Sequence, residues 1–145
     1  MSTTSHSTVS AAQGLRLIGP DDLTVPLTAR LDYSSQDPYA IKMSLDTGRA
    51  EPVEWTFSRD LLTAALHGPE GIGDVRAWPS KSGPEEAQEK VLNIELGSPD
   101  GHALFEASAT GIGAFLARTY EVVPAGREPA FLNFDAELTE LLSQA

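Results

Sequence analysis

Apolar and polar residues alternate along most of this chain, and that alternation predicts a protein built mainly of half-buried strands. The clearest stretch is Val53-Glu54-Trp55-Thr56-Phe57, where Val53, Trp55 and Phe57 share one face and Glu54 and Thr56 the other. It runs without a linker into Ser58-Arg59-Asp60-Leu61-Leu62. Ser58 offers an N-cap oxygen, and Asp60 places a negative charge in the first helical turn, where the helix dipole favours it. A helix over about Arg59 to Leu66 is predicted, with Leu61, Leu62, Ala65 and Leu66 as its apolar stripe and Gly68-Pro69 as its stop.

The same period recurs on both sides. Leu15, Leu17 and Ile18 predict a short first strand, closed by Gly19-Pro20-Asp21-Asp22. Val25, Leu27, Ala29, Leu31 and Tyr33 predict a longer second one, and Pro26, which cannot donate to a ladder, sets its start at an edge. Tyr39, Ile41, Met43 and Leu45 form a third run, and Asp46-Thr47-Gly48 turns towards the Trp55 strand. Downstream, Gly71-Ile72-Gly73-Asp74 reads as a turn, Val75, Ala77 and Trp78 as a strand closed by Pro79, and Ser80 to Glu89 as a polar loop. Leu92, Ile94 and Leu96 and then Ala103, Phe105 and Ala107 form a hairpin about Ser98-Pro99-Asp100-Gly101. Ile112, Phe115, Leu116, Thr119 and Tyr120 mark a second helix from about Ala109 to Glu121, ended by Pro124 and Gly126. A third, short helix is expected near Asp135, with Leu138, Leu141 and Leu142 on its apolar face.

The expected order is four strands and a helix, then about three strands and a helix, then a terminal helix. That is an α+β domain of antiparallel sheet with two to three helices, about seven strands in all. The two halves repeat in architecture and not residue by residue. Residues 14–145 form the expected single domain, and Met1 to Gln13, rich in Ser, Thr and Ala, the expected disordered tail.

Composition narrows the function. With 145 residues the chain can bury a sizeable core without a staple. It has no cysteine, which removes disulfides, thiolate catalysis and Cys-based zinc sites. The net charge is −11 and the ten basic residues are scattered singly, which disfavours nucleic acid and anionic membrane surfaces as partners. No apolar run reaches the length of a membrane span, and the N-terminus lacks the basic and apolar regions of a signal peptide, so a soluble intracellular protein is expected.

The chemical motifs weaken on inspection. Gly71-Ile72-Gly73 precedes a strand, whereas a phosphate loop should open a helix. Gly111-Ile112-Gly113 sits better, near a helix start, yet Leu116 stands where a dinucleotide loop needs a third small residue. Two glycines inside a helix cost about 1 kcal/mol each relative to Ala, which suggests close packing on a sheet or another subunit. His6, His67 and His102 have no ligand partner at metal-binding spacing. No serine sits in a nucleophile elbow, and Glu85, Glu86 and Glu89 cluster without an apolar wall to raise a pKa. Catalytic, cofactor and metal residues are therefore expected to be none. Arg59 with Asp60, and Asp74 with Arg76, are candidate ion pairs, and Trp55 and Trp78 candidate core or interface residues.

Three blocks carry a resemblance: Asp37-Pro38-Tyr39-Ala40, Val53 to Leu62, and Gly71-Ile72-Gly73-Asp74-Val75-Arg76-Ala77-Trp78-Pro79. Weaker echoes lie at Ser98 to Gly101, Phe115 to Thr119 and Phe134 to Leu138. Together these residues resemble the SsgA-like proteins, actinobacterial regulators of sporulation and cell division. Ala65 departs from the glycine that family members often have there. The resemblance implies a fold of curved antiparallel sheets similar to the whirly and mitochondrial guide-RNA-binding proteins. It implies no enzymatic activity, and self-association as a trimer. It also implies recruitment of the tubulin-like protein FtsZ to a septum in the cytoplasm, with a paralogous SsgA-like protein as a further partner. The fold relationship raises single-stranded nucleic-acid binding as the alternative, against which the acidity stands.

Overall fold

Short turns between alternating strands favour pairing of sequence neighbours, and the computed structural model, which describes residues 7–46, 51–99, 101–131 and 142, shows that arrangement within each half of the chain. Strands β1 (Thr8–Ile18), β2 (Thr24–Ser34), β3 (Asp37–Leu45) and β4 (Val53–Ser58) precede helix α1 (Arg59–Ala65). Strands β5 (Glu70–Ile72), β6 (Val75–Ser82), β7 (Glu89–Ser98) and β8 (Gly101–Ser108) precede helix α2 (Ala109–Val122). All eight strands join one antiparallel sheet in the order β4-β3-β2-β1-β8-β7-β6-β5. Each half is thus a meander followed by a helix, and the halves meet where β1 pairs with β8 from Leu15 to Ile18.

The repeat extends to the helix starts. The Ser58 hydroxyl accepts the Leu61 N–H at 3.1 Å, and the Ser108 hydroxyl accepts the Gly111 N–H at 3.2 Å. Each serine is the residue that ends a strand and caps the helix after it.

Helix α1 packs against β3 and β4 and also against β5 and β6, which are opposite ends of the sheet. The sheet can meet both sides of one short helix only by curling round it. Helix α2 covers the middle, on β1, β7 and β8. The core fills the curl: Leu15, Leu31, Ile41, Met43, Phe57, Leu92, Ile94 and Phe105 from the strands, with Leu61, Leu62, Ile112, Phe115 and Leu116 from the helices.

Four sequence expectations are corrected. The sheet has eight strands where about seven were expected, because Gly71-Ile72, read as a turn with Gly73-Asp74, joins Glu70 in a short strand paired with Val75-Arg76-Ala77. The strands form one curled sheet and not several. Thr8 to Gln13, assigned to the tail, belong to β1, whose inward positions include the small Ala11 and the polar Gln13 and so carry little hydrophobic signal. Ser80 to Ser82 continue β6, paired with Val91 to Glu89, so the loop there is shorter than expected. The backbone at 128–131 is helical. The third helix expected near Asp135, Leu138 and Leu141 lies outside the described residues except for Leu142, which is helical and exposed.

Candidate functional site

The residues weighed for chemistry do not converge. Gly71 lies in β5, and Gly73, with φ of 59°, makes the turn into β6. Gly111 and Gly113 lie in α2. A Cβ on Gly111 would stand 2.6 Å from the Gln13 carboxamide oxygen, the far end of a flexible side chain on β1 that would have to move aside. Among the described residues Gly113 would meet only Leu66 Cδ1, at 3.9 Å, an ordinary contact. His67 follows α1 and His102 lies in β8; both are exposed and on separate elements, while His6 falls outside the described residues. Glu85, Glu86 and Glu89 are exposed, the first two in a 3-10 turn and the third at the start of β7.

Arg59 is where the polar groups gather, and the expected pairing with Asp60 is corrected. A cation at the start of a helix is disfavoured by the dipole of its own helix. The side chain leaves α1 and reaches the C-terminal end of α2, where the dipole favours it. There it donates to the Thr119 carbonyl at 3.2 Å and the Val123 carbonyl at 2.8 Å. Its other terminal nitrogen donates to Glu128 Oε2 at 2.8 Å. Arg59 is 0% exposed and Glu128 5%. The guanidinium carbon lies 4.1 Å from the Tyr120 ring centroid and 5.0 Å from that of Tyr33, within cation–π range. Both rings are held by their hydroxyls. Tyr33 donates to the Pro38 carbonyl at 3.0 Å, and Tyr120 shares a 2.7 Å hydrogen bond with Thr63. Asp74 and Arg76 form no ion pair among the described contacts, and the Asp74 carbonyl accepts the Gly97 N–H.

The cluster shifts its own acids. The Glu128 carboxyl is held below the usual carboxylate range, first by its own backbone N–H, then by Arg59, with burial opposing. The Tyr33 phenol is pushed up to about 12, chiefly by burial, with Arg59 pulling the other way and Glu128 adding to the rise. Sequence reading missed this centre because its members are far apart in the chain. The one local signal was a cation in the first turn of a helix.

The outer face is shallow and small-featured. A depression of about 730 Å³ crosses β1, β2 and β3, floored by Ser10, Ala12, Thr28 and Ser44. A neighbour of about 330 Å³ shares Ser10 and Arg30 with it and adds Asp32, Lys42 and Thr56. Asp32 accepts the Ser10 hydroxyl at 2.5 Å and Arg30 Nε at 3.0 Å, so its charge is already matched. A third depression, about 590 Å³, lies beside Trp78, Arg76 and Glu95. Exposed apolar side chains punctuate the surface at Leu23, Val25, Tyr39, Val53 and Ile72.

Two sequential four-strand-and-helix halves thus share one curled sheet, with a cation sealed between their helices and a shallow exterior. Comparison with known proteins gives the fold a lineage. A family model described as Streptomyces sporulation and cell division protein, SsgA, matches residues 27–128, and the chain belongs to this family. The sporulation-specific cell division protein SsgB of Thermobifida fusca is 48% identical over 141 residues, 97% of this chain and 99% of the relative. SsgB of Streptomyces coelicolor is 43% identical over 140 residues, covering 97% and 99%. The crystal structure of the SsgA-like sporulation-specific cell division protein from Thermobifida fusca matches with a TM-score of 0.86, over 97% of this chain and 98% of that one.

Proposed function

We propose that this protein is a non-enzymatic cell-division regulator that recruits FtsZ to sporulation septa. The observation that carries the reading is 48% identity, over nearly the whole of both chains, to a relative named for sporulation-specific cell division. A second relative supports it, through a structure linking mutations in SsgB to longitudinal cell division during sporulation of Streptomyces coelicolor. In this reading the protein works in the cytoplasm as a homotrimer, with a paralogous SsgA-like protein as a further partner. Repeating a weak docking surface round a symmetry axis raises avidity without new contacts. The shallow exterior suits contact with a protein better than turnover of a small molecule.

Single-stranded nucleic acid is the weaker reading. Arg16, Arg30 and Arg59 are already paired with Glu106, Asp32 and Glu128, which removes three of the ten basic residues from any phosphate track.

Co-sedimentation of the folded, assembled protein with FtsZ polymers tests recruitment. Enrichment in the polymer pellet is expected, and its absence at low salt would sink the proposal. A fluorescent fusion in a sporulating host tests the location, with ladders of septal bands expected and diffuse signal counting against it.

A further inference from the structure

The Arg59 centre has one tenant that comes from a different kind of chain segment than its walls. The walls are Tyr33 of β2, Arg59 and Thr63 of α1, and Thr119 and Tyr120 of α2. Each is tied to the sheet or to the other helix by contacts that do not involve Glu128. Tyr33 is fixed to Pro38, Tyr120 to Thr63, and Thr63 to the Arg59 carbonyl at 3.0 Å. Arg59 itself keeps two backbone carbonyls and two aromatic faces when Glu128 is set aside.

Glu128 belongs to the stretch after α2. That stretch has no place in the sheet. Residues 124–127, 129 and 130 are exposed, and their backbone bonds are local: Arg127 N–H to the Pro124 carbonyl and Ala130 N–H to the Arg127 carbonyl. Glu128, buried against Arg59, and the partly buried Phe131 are its inward side chains. Among the described residues this segment has few buried contacts and mostly exposed hydrogen bonds, which places it at the low end of local stability.

We propose that residues 124–131 form a detachable strap, and that Arg59, Tyr33 and Tyr120 form a preformed carboxylate socket which Glu128 occupies from within and an acidic side chain of another protein can occupy in its place. The chemistry is that of a planar guanidinium between two aromatic faces, with one terminal nitrogen aimed at the tenant, which suits a carboxylate. The socket keeps its shape when the strap leaves, so the exchange of one carboxylate for another leaves no orphaned charge. This inference stands apart from the proposed function, because it concerns an internal contact and holds whether or not FtsZ is the partner.

Two measurements test it on the full-length protein. Thermal unfolding of Glu128→Ala is compared in sodium acetate and in sodium chloride at matched ionic strength and neutral pH. Acetate is expected to raise the melting temperature of the variant above its value in chloride and to leave the wild type unmoved. Hydrogen exchange of Glu128→Gln is then compared with wild type. Amides of residues 124–131 are expected to exchange roughly tenfold faster, with those of β2 and β7 unchanged. A folded Glu128→Ala indifferent to acetate would overturn the socket. Uniform acceleration across the sheet in Glu128→Gln, or none at all in 124–131, would overturn the strap, and this second readout stands if the alanine variant does not fold.

Discussion

The rings of Trp55 and Phe105 meet edge to face, with 6.0 Å between centroids and 61° between planes, although β3, β2 and β1 lie between their strands. A flat sheet would hold those strands roughly 19 Å apart, at about 4.8 Å per spacing. The contact is therefore a direct measure of the curl, and it assigns Trp55 to the core. Trp55→Ala is expected to cost about 3 kcal/mol in equilibrium urea unfolding. Trp78, half-buried beside the third surface depression, should cost about 1 kcal/mol when changed to Ala. Equal losses at the two sites would show that the curl does not depend on the Trp55 contact.

Gly113 has no crowding neighbour among the described residues and lies inside α2. Replacing it by Ala removes backbone freedom from the unfolded chain and adds a methyl in ordinary contact with Leu66. Gly113→Ala should stabilise the protein by about 1 kcal/mol, raising the melting temperature by about 3 °C in a scanning calorimeter. A loss of stability instead would mean that a further segment or another subunit packs on this helix face.

Acid should weaken the strap contact. The Glu128 carboxyl has a folded pKa below its ordinary 4.5, so the unfolded chain binds the proton more readily. Its contribution is complete above that ordinary value and disappears as pH falls through the folded one. The stability gap between wild type and Glu128→Gln, measured by chemical denaturation, should be constant from neutrality down to about pH 5 and shrink below it. A gap that stays the same through the acid range would contradict the assignment.

Base acts through the other wall. Tyr33 is neutral when folded up to about 12, against an ordinary value of 10.0. Its raised pKa means that stability is intact below 10.0 and is lost as pH climbs towards 12, because the unfolded chain ionises first. Tyr33→Phe cannot ionise, so its stability should fall less steeply over that interval, although it begins lower by about 1 kcal/mol for the missing bond to Pro38. Denaturation series at stepped alkaline pH read both slopes, and parallel slopes would place the ionisation elsewhere.

Much of the fold could be read from alternation, because a strand with one buried face writes its period into the chain. Ile41, Met43 and Leu45 in β3, and Leu92, Ile94 and Leu96 in β7, carried large apolar side chains at every second position and are buried. The Ser58 cap stood directly before its helix, and the structure adds Ser108 in the same role before α2. Where the inward side chains are small or polar, as at Ala11 and Gln13, the period is present in space and faint in letters. β5 failed for another reason: three residues including a glycine are too few to show a period, and pairing with β6 alone makes them a strand. The Arg59 centre lay beyond local reading. Asp60 is its neighbour in the chain, but Glu128, 69 positions away, is the carboxylate the fold delivers.

The ladder that joins the halves is short. β1 and β2 pair from Thr8 to Ile18, whereas β1 and β8 pair only from Leu15 to Ile18. The halves are further joined by the shared core, by Arg59, which starts in one half and ends in the other, by the Thr63–Tyr120 hydrogen bond, by the Arg16–Glu106 ion pair and by Arg118 donating to the Ser10 carbonyl. Severing the backbone at the exposed Pro69 would yield two pieces, each a complete meander with its own helix. Such pieces are suited to reassociate when mixed, which would let either half be labelled, swapped between relatives or fused to a reporter without disturbing the other.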